Sequence, residues 1–285
     1  MNAAQRRPRV VRTVLATWGA GALLFWGGLF STVDAQSGST GAAPTQGQPA
    51  SGAVAKVLPP PTPAELAEGQ ALLDRAVKAT LLGNPADLKS FAWSDSGLIH
   101  VGPEVFPVNT NTVLVPSRCY WSEQLLPMGI VTVAYCDTSG WVRTARGVRS
   151  LNEAEWKQQR RDREMDLVRV LLDASKLKAR ILPDTVLSAG PAAGVAVASE
   201  RVTDWRIWMD KKTGRIVRSD WLDPPPTGQG IARHAWEYHD YQPVSTLLRW
   251  PSIRAKTIDG TLLLDLFFKR AQSNAAAPDS LFKRP

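Results

Sequence analysis

Histidine and cysteine are the residue types whose positions would most readily support metal or nucleophilic chemistry in this chain. Only three histidines occur, at positions 100, 234 and 239. Residues 234–239 read H-A-W-E-Y-H, and this spacing differs from that of the H-E-x-x-H and H-x-x-E-H zinc motifs. The stretch is also predicted as a strand, on which His234 faces away from His239. The sequence also lacks a G-x-S-x-G elbow, a Walker loop and a G-x-G-x-x-G. We therefore expect no catalytic residues, no bound metal and no cofactor.

Cys119 and Cys136 are the only cysteines. They lie in two β-like runs, 112–123 and 130–138, separated by a segment that contains L-P-M-G. If the middle two residues of that segment form a hairpin turn, the cysteines lie directly opposite each other, with Cβ atoms about 4.5–5.5 Å apart. In an oxidising compartment we predict a Cys119–Cys136 disulfide that fixes the hairpin. The alternative is two buried thiols.

The N-terminal segment has the three parts of an export signal. Four arginines precede an apolar, charge-free stretch at 13–33, and small residues follow, which predicts an export signal over residues 1–35. The apolar stretch is also long enough to remain as a membrane anchor, and either outcome places the rest of the chain beyond the membrane. Residues 36–63, rich in Gly, Ser, Gln and Pro, are predicted as a disordered linker. Residues 64–285 are then one folded domain in the periplasm or cell envelope.

The formal net charge of +8 falls to about +5 without residues 1–35, which predicts a moderately basic surface. Outside the cytoplasm, such a balance is typical of a solvated surface and does not indicate nucleic-acid binding. Attraction to anionic lipid head groups is the alternative, which agrees with peripheral or N-terminal membrane association.

Periodicity predicts an α+β chain with a large, mostly antiparallel sheet. Residues 64–82 carry an apolar stripe of helical period that ends at G-N-P. Residues 151–173 are predicted as a second helix, whose polar stretch 157–163 is expected to be a solvated face. Hairpins are predicted over 202–222 and around the D-G pair at 259–260.

Tryptophan is abundant: nine of the eleven tryptophans follow residue 35. Most are expected in the core, but large aromatics on the concave side of an incomplete barrel would also form an apolar pocket. In the run 202–209, strand alternation places Trp205 and Ile207 on one face and Trp208 on the other. The strand at 261–270 is apolar on both faces, so one face needs the core and the other needs a helix or a ligand.

Short motifs in the last third of the chain resemble those of LolA/LolB-like outer membrane lipoprotein-sorting proteins, in the same order. Residues 208–218 resemble the family's D-x-x-T-G-x-x-x-R hairpin, and residues 239–244 resemble its D-Y-R-x-V strand. Residues 250–251 lie where the family often has L-P, and residues 257–260 resemble its next turn. Residues 278–285 resemble its closing D-x-x-L-F-x-x-P. The order of helix, hairpin and polar helix also resembles LolA-like modules that occur alone or fused to insulinase-type peptidases.

Three features depart from the family pattern. Residues 242–249 lack the usual V-D-G turn, the sequence contains no recognisable peptidase half, and the cysteine pair is not a feature that we associate with the family.

The resemblance implies an antiparallel β half-barrel of LolA-like fold, with helices closing its concave face. It also implies a non-catalytic cell-envelope protein that holds a lipid or lipoprotein acyl chain, because each exposed CH₂ group costs about 0.8 kcal/mol in water. Candidate lining residues, chosen by strand alternation and helix stripe, are Trp141, Leu167, Leu171, Trp205, Ile207, Leu264 and Leu266.

Two other functions remain open from the sequence. The chain could be an accessory module that binds an envelope protein, such as a peptidase or a sensor, with no lipid cargo. It could also be an enzyme of unrecognised type, which a cluster of carboxylates and histidines would support.

Overall fold

The computed structural model describes residues 59–116, 118–224 and 230–285. The predicted export signal at 1–35 and most of the predicted linker at 36–63 lie outside the described residues. In the described part of the chain, no helix combines the length and apolar character needed to cross a membrane.

An open sheet of thirteen antiparallel strands is the main element of the described chain, and it forms the predicted half-barrel with helices on its concave side. The strand order is β6-β5-β4-β3-β2-β1-β13-β12-β11-β10-β9-β8-β7, so two meanders join where β1 pairs with β13. The strands are β1 (Phe91–Val101), β2 (Glu104–Val115), β3 (Cys119–Leu126), β4 (Gly129–Cys136), β5 (Ser139–Thr144), β6 (Gly147–Ser150), β7 (Ala179–Leu187), β8 (Gly190–Val197), β9 (Thr203–Asp210), β10 (Ile216–Asp223), β11 (Ala232–Pro243), β12 (Arg249–Ile258) and β13 (Thr261–Ser273).

The first helix, α1 (Pro63–Thr80), confirms the helix predicted over 64–82. It begins in a capping box, in which the Glu65 backbone N donates to the Thr62 hydroxyl at 3.2 Å and the Thr62 backbone N donates to the Glu65 carboxylate at 2.7 Å. Its buried face includes Leu73 and Ala76, and the helix packs against β7 and β8. The helix therefore covers one end of the sheet.

The second predicted helix, 151–173, is two helices: α2 (Glu153–Glu164) and α3 (Leu167–Leu172). The break has a local cause, because the Asp166 carboxylate accepts hydrogen bonds from the backbone N atoms of Val168 at 2.9 Å and Arg169 at 3.3 Å. An aspartate in this role starts a new helix. Because α3 is a separate helix, its apolar residues are buried while most residues of α2 are polar.

The predicted cysteine hairpin is confirmed. Cys119 on β3 lies opposite Cys136 on β4, the two Cα atoms are 4.1 Å apart, and the sulfur atoms are bonded. The run 112–123, predicted as one strand, is divided between the end of β2 and the start of β3, which pair with each other. The disulfide thus fixes the hairpin beside this reversal of the chain.

In the second half of the sheet, the predicted hairpins at 202–222 and 259–260 are confirmed. Asp259 and Gly260 have φ angles of 46° and 80°, the positive pair that a type I′ turn requires. Alternation on β9 is also as predicted, because Trp205 and Ile207 are buried while the Trp208 indole N–H donates to an Asp220 oxygen at 2.8 Å.

Strand β7 and most of strand β8 were missed by the sequence analysis. Strand β8 reads G-P-A-A-G-V-A-V, and small residues carry little strand propensity. Small side chains are needed here because a Cβ atom at Gly194 would lie 2.4 Å from the Trp208 ring. Close packing of neighbouring strands therefore overrides local propensity.

Candidate functional site

A cavity of about 120 Å³ lies between the helical segment at residues 159–167 and the concave face of the sheet. Residues of two apolar clusters line it, one built from α1, α3 and the sheet, the other from the sheet with Trp156 of α2 packed against it. The cavity is lined by aromatic, aliphatic, hydroxyl and charged side chains, which are Trp93, Asp95, Thr110, Thr112, Leu114, Tyr120, Tyr135, Gln159, Asp162, Arg163, Met165, Asp166, Leu167, Trp221, Trp236, Tyr238, Trp250, Arg254, Lys256 and Leu266.

The size of the cavity limits what it holds in this conformation. Small-molecule sites usually have roughly 300–1,000 Å³, whereas this cavity has about 120 Å³. A short part of an acyl chain fits such a space, but a whole lipid does not. A ligand as large as a whole lipid would fit only if residues 159–167 moved away from the sheet.

The concave face of the sheet forms the floor of the cavity, and aromatic rings make up most of this floor. Phe91, Trp93 and Trp250 make one cluster, with ring centroids 4.9–5.3 Å apart. Tyr120 and Tyr135 stack with centroids 5.2 Å apart. Burial raises the pKa of both tyrosines, so their hydroxyl groups stay protonated. The floor is therefore broad, mostly apolar and edged with neutral hydroxyl groups.

A buried ion pair crosses the floor between β1 and β12. The Arg254 guanidinium donates to the Asp95 carboxylate, which also accepts a hydrogen bond of 3.0 Å from the Thr110 hydroxyl. The same guanidinium lies 5.2 Å from the ring centroid of Trp250 and 5.9 Å from that of Trp93. Since β13 separates the two strands, the pair ties the centre of the sheet together.

The helical segment at residues 159–167 forms the roof of the cavity, and polar contacts hold this roof at its margin. Arg161 on α2 binds both carboxylate oxygens of Asp223 on β10, at 2.6 and 2.5 Å. Asp162 accepts a hydrogen bond of 2.7 Å from the Gln158 amide. Burial raises the pKa of Asp162 and Asp166 on the cavity side of the segment. The Arg161–Asp223 pair therefore joins α2 to β10 at the margin of the cavity.

The structure divides the seven predicted lining residues into two groups. Leu167 on the roof and Leu266 on the floor line the cavity. The other five are buried but do not line it, and the two tryptophans among them donate indole hydrogen bonds, Trp141 to the Phe282 carbonyl at 2.9 Å and Trp205 to the Ser219 hydroxyl at 3.0 Å. The remaining three are Leu171, Ile207 and Leu264.

Sequence reasoning missed the charged lining residues. The stretch 157–163 was expected to be a solvated face, yet Asp162 and Arg163 line the cavity. On β12, Arg254 and Lys256 alternate in register with Trp250, so all three share the concave face. That alternation was the available signal, and it would have marked Arg254 and Lys256 as inward-facing cations.

His234 is buried beside the cavity and stacks on Trp221, with ring centroids 5.7 Å apart. Burial lowers the pKa of His234 to about 4, and the nearby Lys256 charge acts in the same direction. Above about pH 6.5 the histidine is neutral in both the folded and unfolded states, so it contributes no pH dependence.

We therefore expect acid to destabilise the protein through His234. Between about pH 6.5 and 4, the unfolded chain takes up a proton that the folded chain does not, which costs about 2 kcal/mol of folding stability. Urea unfolding at pH 7 and at pH 4.5 checks this, because the His234→Phe variant should lose less stability on acidification than the wild type.

His239 provides the control for the His234 effect. Its pKa is raised by the hydrogen bond to Glu237, so its stabilising contribution is present at low pH and is lost as pH rises through the folded pKa. The His239→Gln variant should thus have its largest deficit at low pH. Parallel pH profiles for wild type and His234→Phe would contradict the effect assigned to His234.

In the ranges 59–116, 118–224 and 230–285, no group of three or more His, Cys, Asp or Glu side chains could hold a metal ion.

Several solved structures share this architecture, although no family model and no curated protein matches the sequence. A domain described as an outer membrane lipoprotein-sorting protein domain from Vibrio parahaemolyticus is 10% identical, with 76% of this chain and 97% of that chain covered and a TM-score of 0.50. A DUF1329 family protein from Desulfovibrio piger is 11% identical, with 77% and 97% covered and a TM-score of 0.53. At these identities the likeness concerns the fold alone. An open antiparallel sheet, helices on its concave side and these two matches together show that the chain has the LolA-like fold.

Proposed function

We propose that this chain is a non-catalytic cell-envelope protein that binds a lipid or lipoprotein acyl chain, as a carrier or sorting protein does. The observation that carries the proposal is the aromatic-floored cavity between the sheet and a roof held by polar contacts. An acyl chain gains about 0.8 kcal/mol for each CH₂ group that it buries. No covalent step is needed to take up or release such a cargo.

The proposed organisation follows from the same function. Residues 1–35 would export the chain or anchor it, residues 36–63 would act as a linker, and residues 64–285 would form the binding domain. A carrier tethered or released beyond the membrane reaches acyl chains at a membrane surface.

A second candidate function is a protein-binding accessory module without lipid cargo. The small cavity volume of about 120 Å³ favours it, because the concave face is mostly filled in this conformation. This candidate predicts a stable envelope partner and no affinity for acyl chains.

Two leucines on β13 offer a matched test of the proposed cavity. Both belong to the same buried apolar cluster, but only Leu266 lines the cavity, whereas Leu264, two residues earlier and on the same face, does not. We expect Leu266→Phe to fill the cavity and weaken binding of a fluorescent acyl-chain probe at least tenfold. Leu264→Phe should overpack the core at a cost of about 1–3 kcal/mol yet leave probe affinity within about threefold of the wild type.

Thermal unfolding must first show that both variants remain folded at the temperature of the binding assay. Equal probe affinity for wild type, Leu266→Phe and Leu264→Phe would place the acyl chain elsewhere. Failure of the wild type to bind the probe would favour the accessory module.

A further inference from the structure

Three cationic side chains line the cavity with unused hydrogen-bond donors. They are Arg163 at the end of α2 and Arg254 and Lys256 on β12. The Arg163 Nη2 and Arg254 Nε atoms are buried without a partner among the described residues. For Lys256, the described residues provide two aromatic rings but no ion pair or hydrogen bond.

The carboxylates around Lys256 are engaged with other groups. Asp223 is bound by Arg161 and Asp162 by Gln158, although both carboxylates act on Lys256 through longer-range attraction. Further along the floor, Asp95 is bound by Arg254 and retains one buried oxygen, Oδ1, without a partner. No described carboxylate is therefore positioned to neutralise the ammonium directly.

The environment of Lys256 is costly for a cation. Its Nζ atom lies 6.0 Å from the Trp221 ring centroid and 5.8 Å from that of Trp236. Burial lowers the pKa of Lys256, and Asp162 and Asp223 oppose that effect. Cation–π contacts recover only part of the cost of removing an ammonium from water. A bound anion would provide the direct partner that the ammonium lacks among the described residues.

The cations lie beside apolar surface, so the cavity is amphipathic. Lys256 and Arg254 are separated by one residue on β12 and share the face that carries Trp250. An acyl chain and an anionic group joined in one molecule would match both parts of this surface.

We propose that the cargo is an amphiphile whose anionic head group, a carboxylate or a phosphate, binds at Lys256 while its acyl chain lies against the aromatic floor. The inference rests on the proposed acyl-chain function, and it names the chemical class of the cargo.

Three ligands with the same acyl chain test the inference on the full chain: palmitate, 1-palmitoyl lysophosphatidate and the neutral 1-palmitoylglycerol. Their affinities are measured by displacement of a fluorescent acyl probe, below the concentrations at which they form micelles. The wild type should bind at least one anionic ligand ten or more times more tightly than the neutral ligand. Tighter binding of lysophosphatidate would assign the head group as phosphate, and tighter binding of palmitate would assign it as carboxylate.

Variants at Lys256 show whether this residue is responsible. Lys256→Met should reduce the preference for anions to less than threefold by weakening the binding of the anionic ligands, and Lys256→Arg should retain the preference. Lys269→Met, at an exposed lysine of β13, is the matched control and should behave as the wild type.

Two results would overturn the inference. Equal affinity of the wild type for neutral and anionic ligands would do so without affecting the proposed acyl-chain function, as would an anion preference that persists in a folded Lys256→Met variant. Absence of binding for all three ligands would contradict the proposed function as well.

Discussion

Replacing Arg149 with methionine is expected to lower the free energy of unfolding by about 2–3 kcal/mol. Arg149 on β6 holds both carboxylate oxygens of Glu155 on α2, at 2.7 and 2.6 Å, and Glu155 is completely buried. The same carboxylate accepts a hydrogen bond of 2.8 Å from the Asn152 backbone N at the start of the helix. Without Arg149, a buried negative charge loses its counter-ion, so the start of the cavity roof loosens.

The double variant Arg149→Met/Glu155→Met separates loss of the pair from exposure of an unpaired charge. It should recover most of the lost stability, because two apolar groups replace the pair. Arg143→Met is the control: its contact with Glu123 spans 3.7 Å, and the Glu123 side chain is 23% exposed whereas that of Glu155 is buried, so we expect a loss below about 1 kcal/mol. Urea unfolding followed by tryptophan fluorescence measures all four proteins, and a similar small loss at positions 149 and 143 would refute the role given to Glu155.

The Cys119→Ala/Cys136→Ala variant is expected to lose about 3 kcal/mol of stability relative to the oxidised protein. The bridge closes a loop with a sequence separation of 17, and its main effect is to restrict the unfolded chain. The fold should survive the change, because β3 and β4 also pair from residue 119 to residue 136 through backbone hydrogen bonds.

Reduction provides the control for the cysteine variant. Wild-type protein in dithiothreitol should unfold at nearly the same urea concentration as the double alanine variant, and well below the oxidised wild type. Coincident unfolding curves for oxidised and reduced wild type would mean that the bridge does not stabilise the protein.

Much of the fold follows from local sequence patterns. The D-G turn at 259–260, the strand alternation around Trp205 and the cysteine pairing were all predicted, because turn chemistry and strand period act over a few residues. The division of helix 151–173 was not predicted, since Asp166 reads as one more polar residue unless its capping role is recognised. Strand β8 was missed because tertiary packing against Trp208 selects its small residues.

The candidate site was harder to predict from the sequence than the fold was. Strand alternation identified buried residues, but it does not show where a cavity remains between the sheet and the roof. Trp205 and Ile207 are fully buried by neighbouring side chains. Leu266 instead faces the cavity, whose position depends on how α2 and α3 cross the sheet. The inward cations were overlooked because a basic residue was assumed to be solvated, an expectation that Lys256 on β12 does not meet.

The most direct measurement of the central claim is mass spectrometry of an organic extract from the protein purified from its native envelope without detergent. The proposed function predicts a lipid or lipopeptide in stoichiometric amount, and the Lys256 inference further predicts that it carries a carboxylate or a phosphate. A folded protein whose extract contains no lipid, and which also fails to bind the acyl probe, would contradict the account.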